Sequence, residues 1–316
     1  MKSISSVQFN IQINGLDYEG FKGGRGLKQG DPLSPLLFVL SLEYLSRLLR
    51  RTSQSPHFKF HPKCKQTLLT HLCFADDLIL FSRADPATLQ SLMATLTEFE
   101  HTAGLRTNLS KSQMVFGGAD TELQQKCLQI VGLNTSTLPL TYLSVPIVAS
   151  RLTKVECTQL ITKIKAKVNQ WSTRHISYAG QLVLINSVIF GMINYWASIF
   201  LLPNDVIERL TQICRNFLWN GNAEPISWQR SCMPKSKGGL GIKDLATWNK
   251  ATIAKLVWAV AQKRDILWVR WVHGRYTRGK NWWEYTPPHD NSWYWKKLCR
   301  VKDIFTTAND SNTPCR

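Results

Sequence analysis

Between Leu72-Cys73 and Leu78-Ile79-Leu80-Phe81 lies Phe74-Ala75-Asp76-Asp77. Short apolar runs on both sides of a polar pair predict a tight β-hairpin with adjacent carboxylates at its tip. Crowded carboxylates repel, and a divalent cation relieves the repulsion. Mg²⁺ is a hard cation that takes such oxygens while keeping waters that phosphates can displace. An Asp-Asp turn alone is more often a plain solvated loop, so its surroundings must decide.

Upstream, residues Val7 to Gly24 alternate in polarity and predict a strand pair. Then comes Arg25-Gly26-Leu27-Lys28-Gln29-Gly30-Asp31-Pro32-Leu33-Ser34-Pro35, rich in turn formers, leading into an apolar-faced helix that ends in Arg50-Arg51. Downstream, Asp85-Pro86 predicts a helix start and Gly104 its end. Asn108 to Lys111 reads as a turn before the strand-like Gln113 to Phe116, and Thr121 with Gln124 as a capping box. Tyr142 to Ile147 reads as extended. Beyond it helices are expected over Thr153 to Trp171, Ser177 to Leu202, and Asp205 to Trp219 after an Asn204 cap. The Gly-rich breaks at Asn220-Gly221-Asn222 and Gly238-Gly239-Leu240-Gly241 mark a subdomain boundary.

Charge separates the two halves. Of a net +18, the part beyond Ser150 holds +15, with 25 Lys and Arg against 10 Asp and Glu. All twelve Trp lie there too. A basic segment with interleaved aromatics suits a polyanion whose bases stack, and the same Trp residues could simply fill a core. No two of the eight Cys form a Cys-x-x-Cys pair, so neither a zinc site nor a disulfide framework is expected, and an intracellular, nuclear or cytoplasmic protein fits better than a secreted one. Leu182 to Leu202 is long enough to cross a bilayer, but Asn186, Ser187, Asn194 and Ser198 interrupt it. A helix buried in protein is therefore expected, with no membrane partner.

The hairpin resembles the aromatic-Ala-Asp-Asp turn of the reverse-transcriptase palm. In the same order, Arg25 to Pro35 resembles motif B of the LINE-type enzymes, and Gly104 to Ser112 resembles motif D. Tyr142 to Ile147 is similar to the following Tyr-Leu-Gly-x-Pro element, with Ser144 in place of Gly. Ile176 to Ile185 loosely matches the next element, with Gln181 where a basic residue is usual. Phe217-Leu218-Trp219-x-Gly221 and the segment from Pro234 to Gly241 resemble the region beyond the thumb in plant LINE elements. Together these resemblances run from about Val7 to about Arg300.

The resemblance implies roles. Asp76 and Asp77 are expected at a Mg²⁺ site and in catalysis, and Lys111 near the triphosphate or leaving pyrophosphate. Gln29, Gly30, Phe74 and Ala75 are expected to line the nucleotide pocket. An RNA template and a DNA primer or duplex would be the partners, and two-metal phosphoryl transfer the chemistry. The expected fold is α+β: an incomplete palm over 1–149, a helical thumb-like region over 150–221, and a Trp-rich basic helical tail over 222–316. The family's palm has a further Asp ligand, on motif A, upstream of motif B. Before Arg25 the only acidic residues are Asp17 and Glu19, neither in that setting. The chain is accordingly expected to be inactive by itself, carrying the family's sequence without its complete metal site. A non-enzymatic nucleic-acid-binding remnant and a group II intron maturase are the alternatives. Gly238 to Gly241 and the Trp-rich tail favour the LINE type over the maturase.

Overall fold

The computed structural model describes residues 8–24, 26–222 and 225–310. The chain forms two compact units, Met1–Thr137 and Leu138–Arg316. Helices and strands are mixed in the first, and helices dominate the second.

The first unit opens with β1 (Gln8–Ile13) and β2 (Leu16–Lys22), an antiparallel ribbon whose register is shifted between Phe9 and Ile11. The pairs Phe9–Phe21, Ile11–Tyr18 and Ile13–Leu16 put six apolar residues in cross-strand contact, and all six are solvent-exposed. Helix α1 (Ser34–Ser53) has Pro35 in its first turn, where a missing N–H costs nothing, and Arg50 and Arg51 in its last. Its second half is buried through Leu45, Leu48 and Leu49, while Leu36, Val39 and Leu40 in its first half stand in solvent.

Hairpin β3 (His71–Phe74) and β4 (Asp77–Leu80) follows, then α2 (Pro86–Ala103). The ends of α2 fall where the sequence places them. The Asp85 carboxylate accepts from Thr88 N at 3.0 Å, and Gly104 takes the left-handed C-cap with φ 70°. Arg51 Nη2 donates to both Glu98 oxygens, at 2.9 and 2.7 Å, tying α1 to α2. Helix α3 (Thr121–Val131) differs from expectation at its cap, which is Asp120 and not Thr121. Asp120 Oδ1 accepts from Leu123 N at 2.7 Å, and Gln124 donates back to Ala119 O at 2.8 Å. A carboxylate at the positive helix end outcompetes a hydroxyl one residue later. The core of the unit gathers Leu45, Leu48, Leu49, Leu89, Leu92, Leu96 and Phe99, with Cys127 and Val131 of α3. β5 (Gln113–Met114) and β6 (Asn134–Thr135) form a short parallel bridge. Every sheet among the described residues has two strands, so each strand keeps one open edge.

The second unit begins with β7 (Leu140–Tyr142) and β8 (Val145–Ile147). The expected extended segment is instead this tight hairpin, turned at Leu143 and Ser144 with φ 49° and 64°. Helix α4 (Thr158–Ser172) starts later than expected, because Thr153 N donates to Glu156 Oε2 at 2.7 Å and holds a turn ahead of it. The long apolar stretch forms α5 (Tyr178–Leu184), a π turn over Ile185–Ile189 and α6 (Phe190–Ala197). By length and composition Tyr178–Ala197 could cross a membrane. In this fold Ile185, Ile189, Phe190, Ile193 and Trp196 lie in the largest core, and Asn194 Oδ1 accepts from Trp248 Nε1 at 2.8 Å.

Helix α7 (Asn204–Leu218) takes Asn204 as its first residue, so the expected Asn204 cap is not made; Pro203 precedes it. After the short α8 (Trp228–Ser231), helix α9 (Leu245–Ala261) packs on α6 and α7 and, further along, on α11 (Trp293–Asp310). A separate core joins Ile253, Val257 and Val260 to Val269 and Val272 of α10 (Leu267–Val272) and to Trp295, Leu298 and Cys299 of α11.

Candidate active site

The register pairs Phe74 with Asp77, leaving Ala75 and Asp76 as a two-residue turn. Ala75 has φ 49°, a left-handed conformation that costs a residue with a Cβ on the order of 1 kcal/mol. Phe74 to Asp77 are all exposed, with the Phe74 side chain 60% open. Below the turn the hairpin is held to the rest of the unit. Leu78 and Leu80 pack on the core formed by α1 and α2. His71 Nε2 meets Ser46 Oγ on α1 at 2.9 Å, and Nδ1 meets Thr70 Oγ1 at 2.8 Å. Ser46 Oγ already donates to Leu42 O at 2.9 Å, so it accepts from an Nε2–H tautomer. Burial, and then Arg50, push the His71 pKa below its ordinary value, with Glu43 opposing. The imidazole is thus a neutral peg between hairpin and helix, and sequence reasoning overlooked it.

Gln29 and Gly30 sit in the loop that enters α1, both exposed. Gly30, at φ 91°, is the third residue of a turn closed by Asp31 N donating to Lys28 O at 3.3 Å. Nothing lies within 4 Å of a Cβ built on it, so the backbone conformation, not crowding, calls for glycine here. Ser34 Oγ reaches back to Lys28 O at 2.7 Å and ties this loop to the helix start.

Lys111 is exposed in a loop organised by Asn108. The Asn108 amide oxygen accepts from Ser110 Oγ at 2.7 Å and Lys111 N at 3.2 Å, while Ser112 Oγ donates to Asn108 O at 2.8 Å. Glu100 Oε1 accepts from Thr107 N at 2.7 Å, a bond that lowers its pKa and pins the loop to α2. Asn108 and Glu100 were absent from the sequence-based candidates, although an Asx-type turn at Asn108-Leu109-Ser110 carries a readable signal.

All seven candidates, Gln29, Gly30, Phe74, Ala75, Asp76, Asp77 and Lys111, lie in solvent in the first unit, on loops or at the strand ends that flank the hairpin turn. Among the described residues no hydrogen bond or ion pair joins the side chains of Gln29, Asp76, Asp77 and Lys111 to one another. Two neighbouring carboxylates are also short of the roughly six oxygens Mg²⁺ takes, even with waters filling part of the shell. No group of three His, Cys, Asp or Glu able to hold a metal forms among the described residues.

Comparison with known proteins adds an independent line. Residues 2–147 match the family model described as reverse transcriptase (RNA-dependent DNA polymerase). The chain is 30% identical over 140 residues to an Arabidopsis thaliana protein named for ribonuclease H, covering 43% of this chain and 23% of that one. It is 35% identical over 111 residues to the Pol polyprotein of the type-1 retrotransposable element R2 of Popillia japonica, covering 35% of this chain and 17% of the relative. The 149 kDa protein of transposon TX1 of Xenopus laevis is 24% identical over 254 residues, 75% of this chain and 18% of the relative. The chain thus spans a quarter or less of each of these relatives. Residues 2–147 thus match a reverse-transcriptase family model, and the chain is similar, over the parts stated, to proteins of non-LTR retrotransposable elements.

Proposed function

We propose that this chain engages a primer–template through a reverse-transcriptase domain whose metal-binding carboxylates are incomplete in the residues it supplies. The observation that carries the reading is the two-residue turn that presents Asp76 and Asp77 side by side in solvent on a hairpin anchored at its base. Asp76 and Asp77 are the two acids of the nucleotidyl-transfer site. Gln29, Gly30, Phe74 and Ala75 border the nucleotide, and Lys111 faces its phosphates. A divalent metal, Mg²⁺ in this family, would supply charge neutralisation. With only two protein carboxylates its alignment is poor, and phosphoryl transfer depends on alignment and neutralisation for most of its rate. The chain alone is accordingly no polymerase.

Residues 1–149 correspond in this reading to the palm, 150–221 to the thumb and 222–316 to a basic tail, in an intracellular protein. The helical part carries the nucleic-acid grip. A groove of about 350 Å³ between α4 and α7 is floored by Val168 and Ile213 and rimmed by Lys165, Arg209, Asn169, Gln212 and Asn216, a set suited to phosphates and polar groups of a nucleic-acid backbone. Binding to an RNA–DNA primer–template, measured by fluorescence anisotropy, tests the reading. Affinity should fall steeply with salt as counterions are released, and Lys165→Ala with Arg209→Ala should flatten that slope by about two phosphate contacts. Absence of primer–template binding at low salt overturns it.

The second reading, a nucleic-acid-binding remnant without chemistry, is favoured by the excess charge beyond Ser150. It requires binding that is unchanged in Asp76→Ala and Asp77→Ala, together with no requirement for a primer end.

A further inference from the structure

Ten of the twelve Trp are at least partly buried, and most of them pack in the two cores of the helical unit. Two are not. Trp258 is 42% exposed and Trp283 37%. They stand together: their ring centroids are 6.4 Å apart, and Phe305 lies 5.7 Å from Trp258, nearly parallel at 29°, and 6.2 Å from Trp283. Ile304, 45% exposed, adjoins Phe305 on α11.

This cluster is held in place from below. Lys302 is buried, only 8% exposed, and its ammonium donates to Trp283 O at 2.9 Å, Tyr285 O at 2.8 Å and Trp282 O at 3.4 Å. Three carbonyl partners satisfy all three protons of an ammonium that would otherwise be expensive to bury. They also lock the loop carrying Trp283 onto α11, beside Phe305. Asn281 Oδ1 accepts from Trp283 N at 3.2 Å and fixes the loop from its other side. The exposed rings are therefore fixed before any partner arrives.

Exposed cations share the helices that carry two of the rings. Lys255 is exposed one helical turn before Trp258 on α9, and Arg300 is exposed one turn before Ile304 on α11. From Lys250 to Asp310 the chain carries twelve Lys and Arg against five Asp and Glu, with Glu284 and Asp303 the nearest acids in sequence.

We propose that Trp258, Trp283 and Phe305 form a stacking platform for an unpaired base of single-stranded nucleic acid, with Lys255 and Arg300 serving the flanking phosphates. The proposal rests on the nucleic-acid reading of the helical unit given above. Three rings and an Ile are too small a patch for a stable protein interface, which needs roughly 800 Å² per partner. A second copy of a chain with net charge +18 would bring like charges together. An unpaired strand fits both features, since every base offers a face to a fixed ring and every phosphate a charge to a neighbouring cation. A duplex hides those faces within its stack.

The test uses the full chain and three labelled probes: a short oligothymidylate, a hairpin duplex and heparin. Trp258→Ala and Trp283→Ala are each expected to weaken binding of the single strand on the order of tenfold, leaving duplex and heparin unchanged. Trp283→Phe should restore most of the loss, because a ring returns without the indole, and thermal melting of each variant controls for the fold. Equal loss on all three probes, or no loss on the oligothymidylate, overturns the platform while the nucleic-acid reading stands. No binding of any nucleic acid by the unsubstituted chain overturns both.

Discussion

The turn at Leu143-Ser144 shows how one side chain can work against its backbone. Ser144 sits at φ 64°, where a Cβ crowds the following carbonyl, and it stands in place of the Gly of the element that Tyr142 to Ile147 resembles. Ser144→Gly should therefore stabilise the helical unit by about 1 kcal/mol, less the entropy a glycine loses on folding, seen as a higher melting temperature. His71 makes a different prediction. Its folded pKa is pushed below the ordinary 6.5 by burial and by Arg50, so below pH 6.5 the unfolded chain binds protons that the folded chain refuses. Stability contributed by His71 is complete above that value and declines as pH falls toward the folded pKa. Thermal melts of the chain should show this acid loss, and His71→Gln should reduce it. A melting temperature equally sensitive to acid in the variant would assign the loss elsewhere, His61 being next in line since burial lowers its pKa as well.

Elements divide into those whose local chemistry agrees with their packing and those decided by distant contacts. The Asp-Asp hairpin and α2 were legible because their turn residues, caps and apolar runs all point the same way. Residues Asp85, Pro86 and Gly104 mark the ends of α2 by themselves. The π turn over Ile185–Ile189 had no such signature. It sits inside a continuous apolar run, where registers that differ by one residue look alike in sequence. Where the twelve Trp go was equally hidden, since burial of Trp196, Trp228, Trp282 and Trp295 is a property of the assembled helices. Of the candidate site, the hairpin could be read and its peg could not: the His71–Ser46 contact joins residues 25 positions apart.

Asn249 shows the cost of such distant contacts. Its Oδ1 accepts from Leu202 N at 2.8 Å, and its Nδ2 donates to Ala197 O and Phe200 O at 2.8 and 2.7 Å, closing the link between α6 and α7. Asn249→Leu removes three hydrogen bonds and strands buried backbone groups, so it should cost on the order of 3 kcal/mol in a denaturant titration. A loss below 1 kcal/mol would mean water takes over those groups.

At the scale of the whole molecule two characters share one chain. The first unit leaves apolar surface open on the β1–β2 ribbon and the first half of α1, and presents its acids at a loop tip. The second is basic, helical and largely closed around its Trp residues. In the reading proposed above, such a molecule holds a polyanion more readily than it does chemistry on one. The direct measurement is RNA-templated primer extension by the purified chain with Mg²⁺ and deoxynucleotides, alongside Asp76→Ala. Two carboxylates without a third predict no templated product from either protein. Templated extension by the unsubstituted chain, abolished in Asp76→Ala, would contradict the account.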